Sequence, residues 1–139
     1  MLYSEFLKTK RKCPFCDRRD RILVGKKSAY LTYALAPYSR YHLLAVPRKH
    51  KTSLRALGPA ERKDLAALVS KGTELLRRLH IADISVLVRD SGRQKSVEHI
   101  HYHIIPNHRI GDLDRGGRKR RILTQKEISA LVAKVKKIL

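Results

Sequence analysis

Acidic residues are scarce: twelve Asp and Glu stand against 32 Lys and Arg, for a formal net charge of +20. A balance so far from neutral has to be explained by solubility, by partners, or by both. Long apolar runs are missing too. Uncharged stretches such as AYLTYALAPYS fall short of the roughly 20 residues that span a bilayer, which excludes a transmembrane helix by this reading. The first residues, MLYSEFLKTKRK, lack an apolar segment followed by a small-residue cleavage site, so no secretion signal is read and a cytoplasmic location is expected. Cysteine is limited to Cys13 and Cys16, and two thiolates do not close a structural zinc site by themselves. There is no internal repeat.

What is present suits one folded domain over residues 1–139, long enough to bury a core. The excess charge is +6 over residues 1–27, +7 over 28–106 and +7 over 107–139, so both ends are denser in cations than the middle. The sharpest cluster is DRGGRKRRIL, where Gly116 and Gly117 precede Arg118, Lys119, Arg120 and Arg121. Clustered cations attract polyanions, so nucleic acid and a nucleoside polyphosphate are both candidate partners, beside a merely basic proteome.

Short β-favouring runs, RILVG, SAYLTYALA, YHLLAVP, ISVLVRD and SVEHIHYHIIP, are separated by turn residues. Between the third and fourth, Leu65, Leu68, Val69, Leu75, Leu76 and Leu79 recur at three and four. That spacing predicts a helix from Pro59 to about His80, with Pro59 in its first turn. Thr124 and Glu127 form a capping-box pair for a last amphipathic helix, QKEISALVAKVKKIL. The expected fold class is α+β, a mainly antiparallel five-stranded sheet with a long helix and a C-terminal helix. A loop over 13–20 and a basic loop with the final helix over 107–139 flank this centre.

Within VEHIHYHIIP, His99, His101 and His103 occupy alternate positions. On a strand they share one face over about 14 Å and present a row of imidazoles that titrate near neutrality. Beside a basic surface such a row suits phosphoryl chemistry: one neutral imidazole attacks phosphorus, and its neighbours orient it, bind nonbridging oxygens and protonate the leaving group. Cys13 and Cys16, with Pro14 and Phe15 between them, are spaced to reach one metal ion, and His50 and one of the three histidines are available to complete the set. A redox pair or free thiols is the competing reading.

HIHYHII resembles the signature of the histidine triad, or HIT, superfamily of nucleotide hydrolases and transferases. CPFC, then AP, YHLLAVPRKH, a helix and SVEHIHYHIIP follow the order of its zinc-bearing branch over roughly residues 13–106. The resemblance implies a HIT-like fold, a homodimer and a nucleotide or nucleotide-conjugate substrate. It assigns His101 as the nucleophile, His103 as its phosphate-facing neighbour, His42 as their support and Ser96 as a donor to phosphate or leaving group. It also puts Cys13, Cys16, His50 and His99 on one structural zinc. Gln94 and Lys95 stand where relatives carry Gly-Gln beside the phosphates. Ala34 stands where many carry an Asp that binds ribose, Arg89 or Asp90 where an asparagine is frequent, and Asn107 where an arginine follows the proline. These departures point to a ligand more anionic, or less held by its sugar, than a mononucleotide. Two further readings are an enzyme acting on adenylated nucleic-acid 5′ ends, and a catalytically idle nucleic-acid-binding protein.

Overall fold

Period-two alternation along three strands decides which side of the sheet each residue serves. The structure, a computed structural model, describes residues 1–9, 13–16, 21–90, 97–107 and 120–139. Strands β1 (Val24–Gly25), β2 (Ala29–Tyr33), β3 (Leu43–Pro47), β4 (Ile84–Val88) and β5 (Tyr102–Pro106) form one antiparallel sheet in the order β1-β2-β3-β5-β4. A short helix α1 (Tyr3–Thr9) precedes them, α2 (Pro59–Arg78) lies between β3 and β4, and α3 (Gln125–Ile138) ends the chain. This is the α+β architecture expected from the sequence.

One face of the sheet carries Leu31, Leu43, Ala45 and Ile104, and α2 covers it with Leu65, Leu68, Leu75 and Leu76. Helix α3 adds Leu131 and Val135 to the same core. Its start is fixed by the expected box: Thr124 Oγ1 accepts the Glu127 N–H at 3.2 Å, and the Thr124 N–H donates to Glu127 Oε1 at 3.0 Å. Arg121 donates to the same carboxylate at 2.7 Å, and this bond, with the Thr124 donors, lowers the Glu127 pKa to about 2. Helix α2 stops at Arg78, slightly before the expected end, because His80 takes a left-handed backbone (φ 63°) that a helix cannot continue through. Gly72 sits where α2 packs directly on the sheet; a Cβ there would come within 2.5 Å of Ile104 Cδ1. Gly72→Leu is therefore expected to destabilise the fold by about 2–3 kcal/mol through overpacking, and an unchanged denaturation midpoint would refute that packing.

The opposite face carries Tyr30, Ala34, Leu44 and Val46, packed with Phe15 and Val97 in a second, smaller cluster. His42 and His103 belong to this side by alternation, since Leu44 pairs with His103 across the ladder. The histidine strand differs from expectation in two ways. It begins at Tyr102, so His99 and His101 precede it, because the Pro47 carbonyl beyond the last ladder pair is taken by the His99 ring nitrogen at 2.7 Å. The row of imidazoles is also not exposed: His99 is fully buried, and His101 and His103 each keep 8% of their surface. The second cluster and the N-terminal segment lie over them.

Candidate active site and metal centre

Hydrogen bonds to neighbouring backbone groups assign the proton on each ring. A carbonyl oxygen only accepts, so His101 Nδ1, 2.9 Å from the His99 carbonyl, carries the hydrogen. In the neutral ring the lone pair then lies on Nε2. His42 Nδ1 accepts the Tyr38 N–H at 3.2 Å, which leaves the hydrogen on His42 Nε2. That nitrogen is 3.0 Å from His103 Nδ1 and donates to it. His103 therefore keeps its own hydrogen on Nε2. The relay yields an Nε2 lone pair on His101 beside an Nε2–H on His103, with ring centroids 4.6 Å apart. Burial pushes the His103 pKa well below its ordinary value, and His101, His42, Arg89 and Arg120 push it the same way. His103 is thus neutral near pH 7, as the relay requires.

His42 is delivered by the turn that follows Pro37. Tyr41 takes a left-handed backbone (φ 66°), the His42 N–H donates to the Ser39 carbonyl at 3.3 Å, and Ser39 Oγ donates to the Pro106 carbonyl at the end of β5. The three rings line a pocket whose wall includes Phe15, Arg21, Ala34 and Arg120. Phe15 lies against His101 with centroids 4.8 Å apart, and its carbonyl accepts Tyr30 Oη–H at 2.7 Å.

Cys13, Cys16, His50 and His99 converge at the other end of the histidine row. Their ligand atoms all lie within 4.8 Å of one another. His99 Nδ1 is 3.4 Å from Cys13 Sγ and 3.5 Å from Cys16 Sγ, and His50 Nδ1 is 3.4 Å from Cys16 Sγ. Bond lengths typical of zinc put the edges of a tetrahedral Cys2His2 site at about 3.3–3.8 Å, so these separations fit a metal ion. The far side of the His99 ring fits as well: Nε2–H donates to the Pro47 carbonyl at 2.7 Å, so the lone pair on Nδ1 faces the thiols. The four residues can hold a metal ion, and the ring assignments separate the duties of adjacent histidines, His99 toward the cysteines and His101 toward the pocket.

Gln94, Lys95 and Ser96 lie outside the described residues, as do Gly116, Gly117, Arg118 and Lys119 of the basic cluster. Its two remaining members have separate fates: Arg121 is engaged by Glu127, and Arg120 stands on the pocket wall. Phe15, Tyr38 and Arg21 are not site residues in the sequence reading, and Arg120 enters it only as one member of the basic cluster. Phe15 is a spacer by position, nothing local marks Arg21, and the charge cluster does not say which of its members reaches the pocket.

The HIT domain family model matches residues 17–110. An uncharacterized HIT-like protein of Mycobacterium tuberculosis is 26% identical over 101 residues, covering 68% of this chain and 70% of that protein. An adenosine 5′-monophosphoramidase of Schizosaccharomyces pombe is 32% identical over 74 residues, 52% of this chain and 53% of its own length, so the match spans about half of that enzyme. Among solved structures, a hypothetical histidine triad nucleotide-binding protein from Sulfolobus tokodaii has a TM-score of 0.73 at 18% identity, with 90% of each chain covered. A zinc-bound histidine triad family protein from Mycobacterium smegmatis has a TM-score of 0.62 at 19% identity, covering 98% of this chain and 93% of that one. The NitFhit protein of Caenorhabditis elegans scores 0.70 at 22% identity over 86% of this chain, which spans 27% of the NitFhit chain. With the family model matching well over half of its residues, the chain belongs to the HIT domain family.

Proposed function

We propose that the protein is a nucleotidyl hydrolase or transferase that acts on the α-phosphorus of a nucleotide conjugate through a nucleotidyl-histidine intermediate on His101. The observation that carries this reading is the pair of opposite ring assignments, a lone pair on His101 Nε2 and a hydrogen on His103 Nε2. The Nε2–P bond forms as the P–O or P–N bond to the leaving group breaks, and the leaving group departs with a proton taken from solvent. Water then attacks phosphorus, the Nε2–P bond breaks, and a nucleoside monophosphate is released while the water proton passes to solvent. His103 Nε2–H would stabilise a nonbridging oxygen as charge builds there. Ser96, Gln94 and Lys95 enter on the family resemblance alone, as donors around the phosphates.

Zinc is the metal proposed for Cys13, Cys16, His50 and His99, with all four positions filled by protein, which is the mark of a structural ion. It would tie the N-terminal turn to the histidine segment. The reading includes a homodimer, which light scattering on the purified protein checks.

A substrate panel with intact-mass detection tests the proposal. It starts from adenosine 5′-phosphoramidate, the substrate class in the name of the S. pombe relative. A covalent nucleotidyl adduct on the triad peptide is the expected result, and turnover with no trapped adduct under a rapid alkaline denaturing quench, which preserves the acid-labile N–P bond, overturns the covalent route. His42→Ala, which removes the donor to His103 Nδ1, is expected to lower kcat about 10²-fold in protein that still unfolds cooperatively. A kcat within threefold of wild type would remove the relay from the mechanism.

A further inference from the structure

Arg120 reaches the histidine pocket from a part of the chain remote from the triad. The two chain ends hold it there: Tyr3 N–H donates to the Arg120 carbonyl at 3.0 Å, Ile122 N–H donates to the Met1 carbonyl at 3.0 Å, and Leu2 bridges Arg121. Its guanidinium carbon lies 4.2 Å from the centroid of Tyr38 and 5.1 Å from that of Tyr3, and Nη1 donates to the Ala36 carbonyl at 3.1 Å. Tyr38 in turn lies 5.6 Å from the His42 ring and 6.4 Å from the His103 ring, so the cation is one aromatic ring away from the proposed phosphorus site.

The charge of the pocket is one-sided. Arg21 and Arg120 line it, and among the described residues no carboxylate does. Ala34, at the position where relatives place an Asp for ribose, contributes only a methyl group to the wall. A guanidinium fixed by two rings and one carbonyl retains further donors in a planar fork that matches phosphate oxygens. Its charge acts more strongly on a partly enclosed wall than in open water.

We infer that Arg120 is a specificity-determining residue that pairs with negative charge on the substrate beyond the phosphorus under attack, so that the pocket favours polyphosphate-linked conjugates over those with an uncharged leaving group. This rests on the proposed nucleotidyl transfer and adds to it the residue that ranks the substrates.

The test compares diadenosine triphosphate, whose leaving group is ADP, with adenosine 5′-phosphoramidate, whose leaving group is ammonia, in wild type, Arg120→Gln, Arg120→Lys and the surface control Arg121→Gln. Arg120→Gln is expected to lower kcat/KM for the triphosphate by about tenfold or more, chiefly through KM, and by less than threefold for the phosphoramidate. Arg120→Lys is expected to fall between, because it keeps the charge and loses the fork. Arg121→Gln leaves the ratio of the two substrates unchanged. An equal loss on both substrates makes Arg120 a structural brace and overturns the inference, as does no loss on either. If the wild-type protein turns over neither substrate, the catalytic reading fails separately. Calorimetric binding of ADP against AMP then decides Arg120: the preference for ADP disappears in Arg120→Gln if the inference holds, and its persistence overturns it.

Discussion

His101→Ala is expected to reduce kcat by about 10⁴-fold or more and to abolish the nucleotidyl adduct, because among the described residues the rings beside it have their basic nitrogens turned to other groups. His103 carries its hydrogen on Nε2 and its Nδ1 accepts from His42, whose own Nδ1 is engaged by the Tyr38 N–H. His99 Nδ1 is turned toward the cysteines. Each neighbouring imidazole thus has its basic nitrogen committed to another partner. The substitution removes a ring that keeps 8% of its surface and lies against Phe15, so stability falls modestly while the sheet and α2 are untouched. Single-turnover kinetics with an alkaline denaturing quench and mass analysis provide the check. Residual activity within tenfold of wild type, or an adduct that persists on another residue, would falsify the assignment of the nucleophile.

Removing the metal carries the second large effect. One zinc per chain is expected by elemental analysis. Chelation, or Cys16→Ser, is expected to lower Tm by about 10 °C or more, the equivalent of several kcal/mol for a domain of this size. Activity should fall in parallel for a reason specific to this fold. Phe15, between the two cysteines, packs against His101 and presents its carbonyl to Tyr30 Oη, so releasing the Cys13–Cys16 turn withdraws one wall of the pocket. The larger hydrophobic core lies on the opposite side of the sheet and does not depend on the turn, so the apo-protein should keep most of its far-ultraviolet circular dichroism while losing activity. Protein isolated without zinc that has full Tm and full turnover would refute both the ion and its coupling to the pocket.

Much of this was legible in advance. Leu65, Leu68, Leu75 and Leu76 at helical spacing mark the buried stripe of α2, and the strands between turn residues produced the antiparallel sheet. Such elements are readable because each is specified by local periodicity. The convergence of Cys13, Cys16, His50 and His99 rested on the order of family motifs and is matched by their geometry. Exposure of the histidine row was misjudged for a definite reason: alternation says that one face differs from the other, not whether a second layer covers it. Here Phe15 and Val97 supply that layer.

By itself, then, the chain's sequence determined which residue types recur on which face of each strand and helix, and which motifs follow one another along it. Tertiary structure decided the chemistry of the His99 and His103 rings, because a histidine's proton goes to the nitrogen that meets an acceptor and leaves the one that meets a donor. Those partners are the Pro47 carbonyl for His99 and the His42 ring for His103, both brought in from remote segments, while the Tyr38 N–H that orients His42 comes from its own turn. The same holds for Arg120, whose place at the pocket depends on the two chain ends meeting through Tyr3 and Ile122, a contact between residues more than a hundred positions apart that no local pattern encodes.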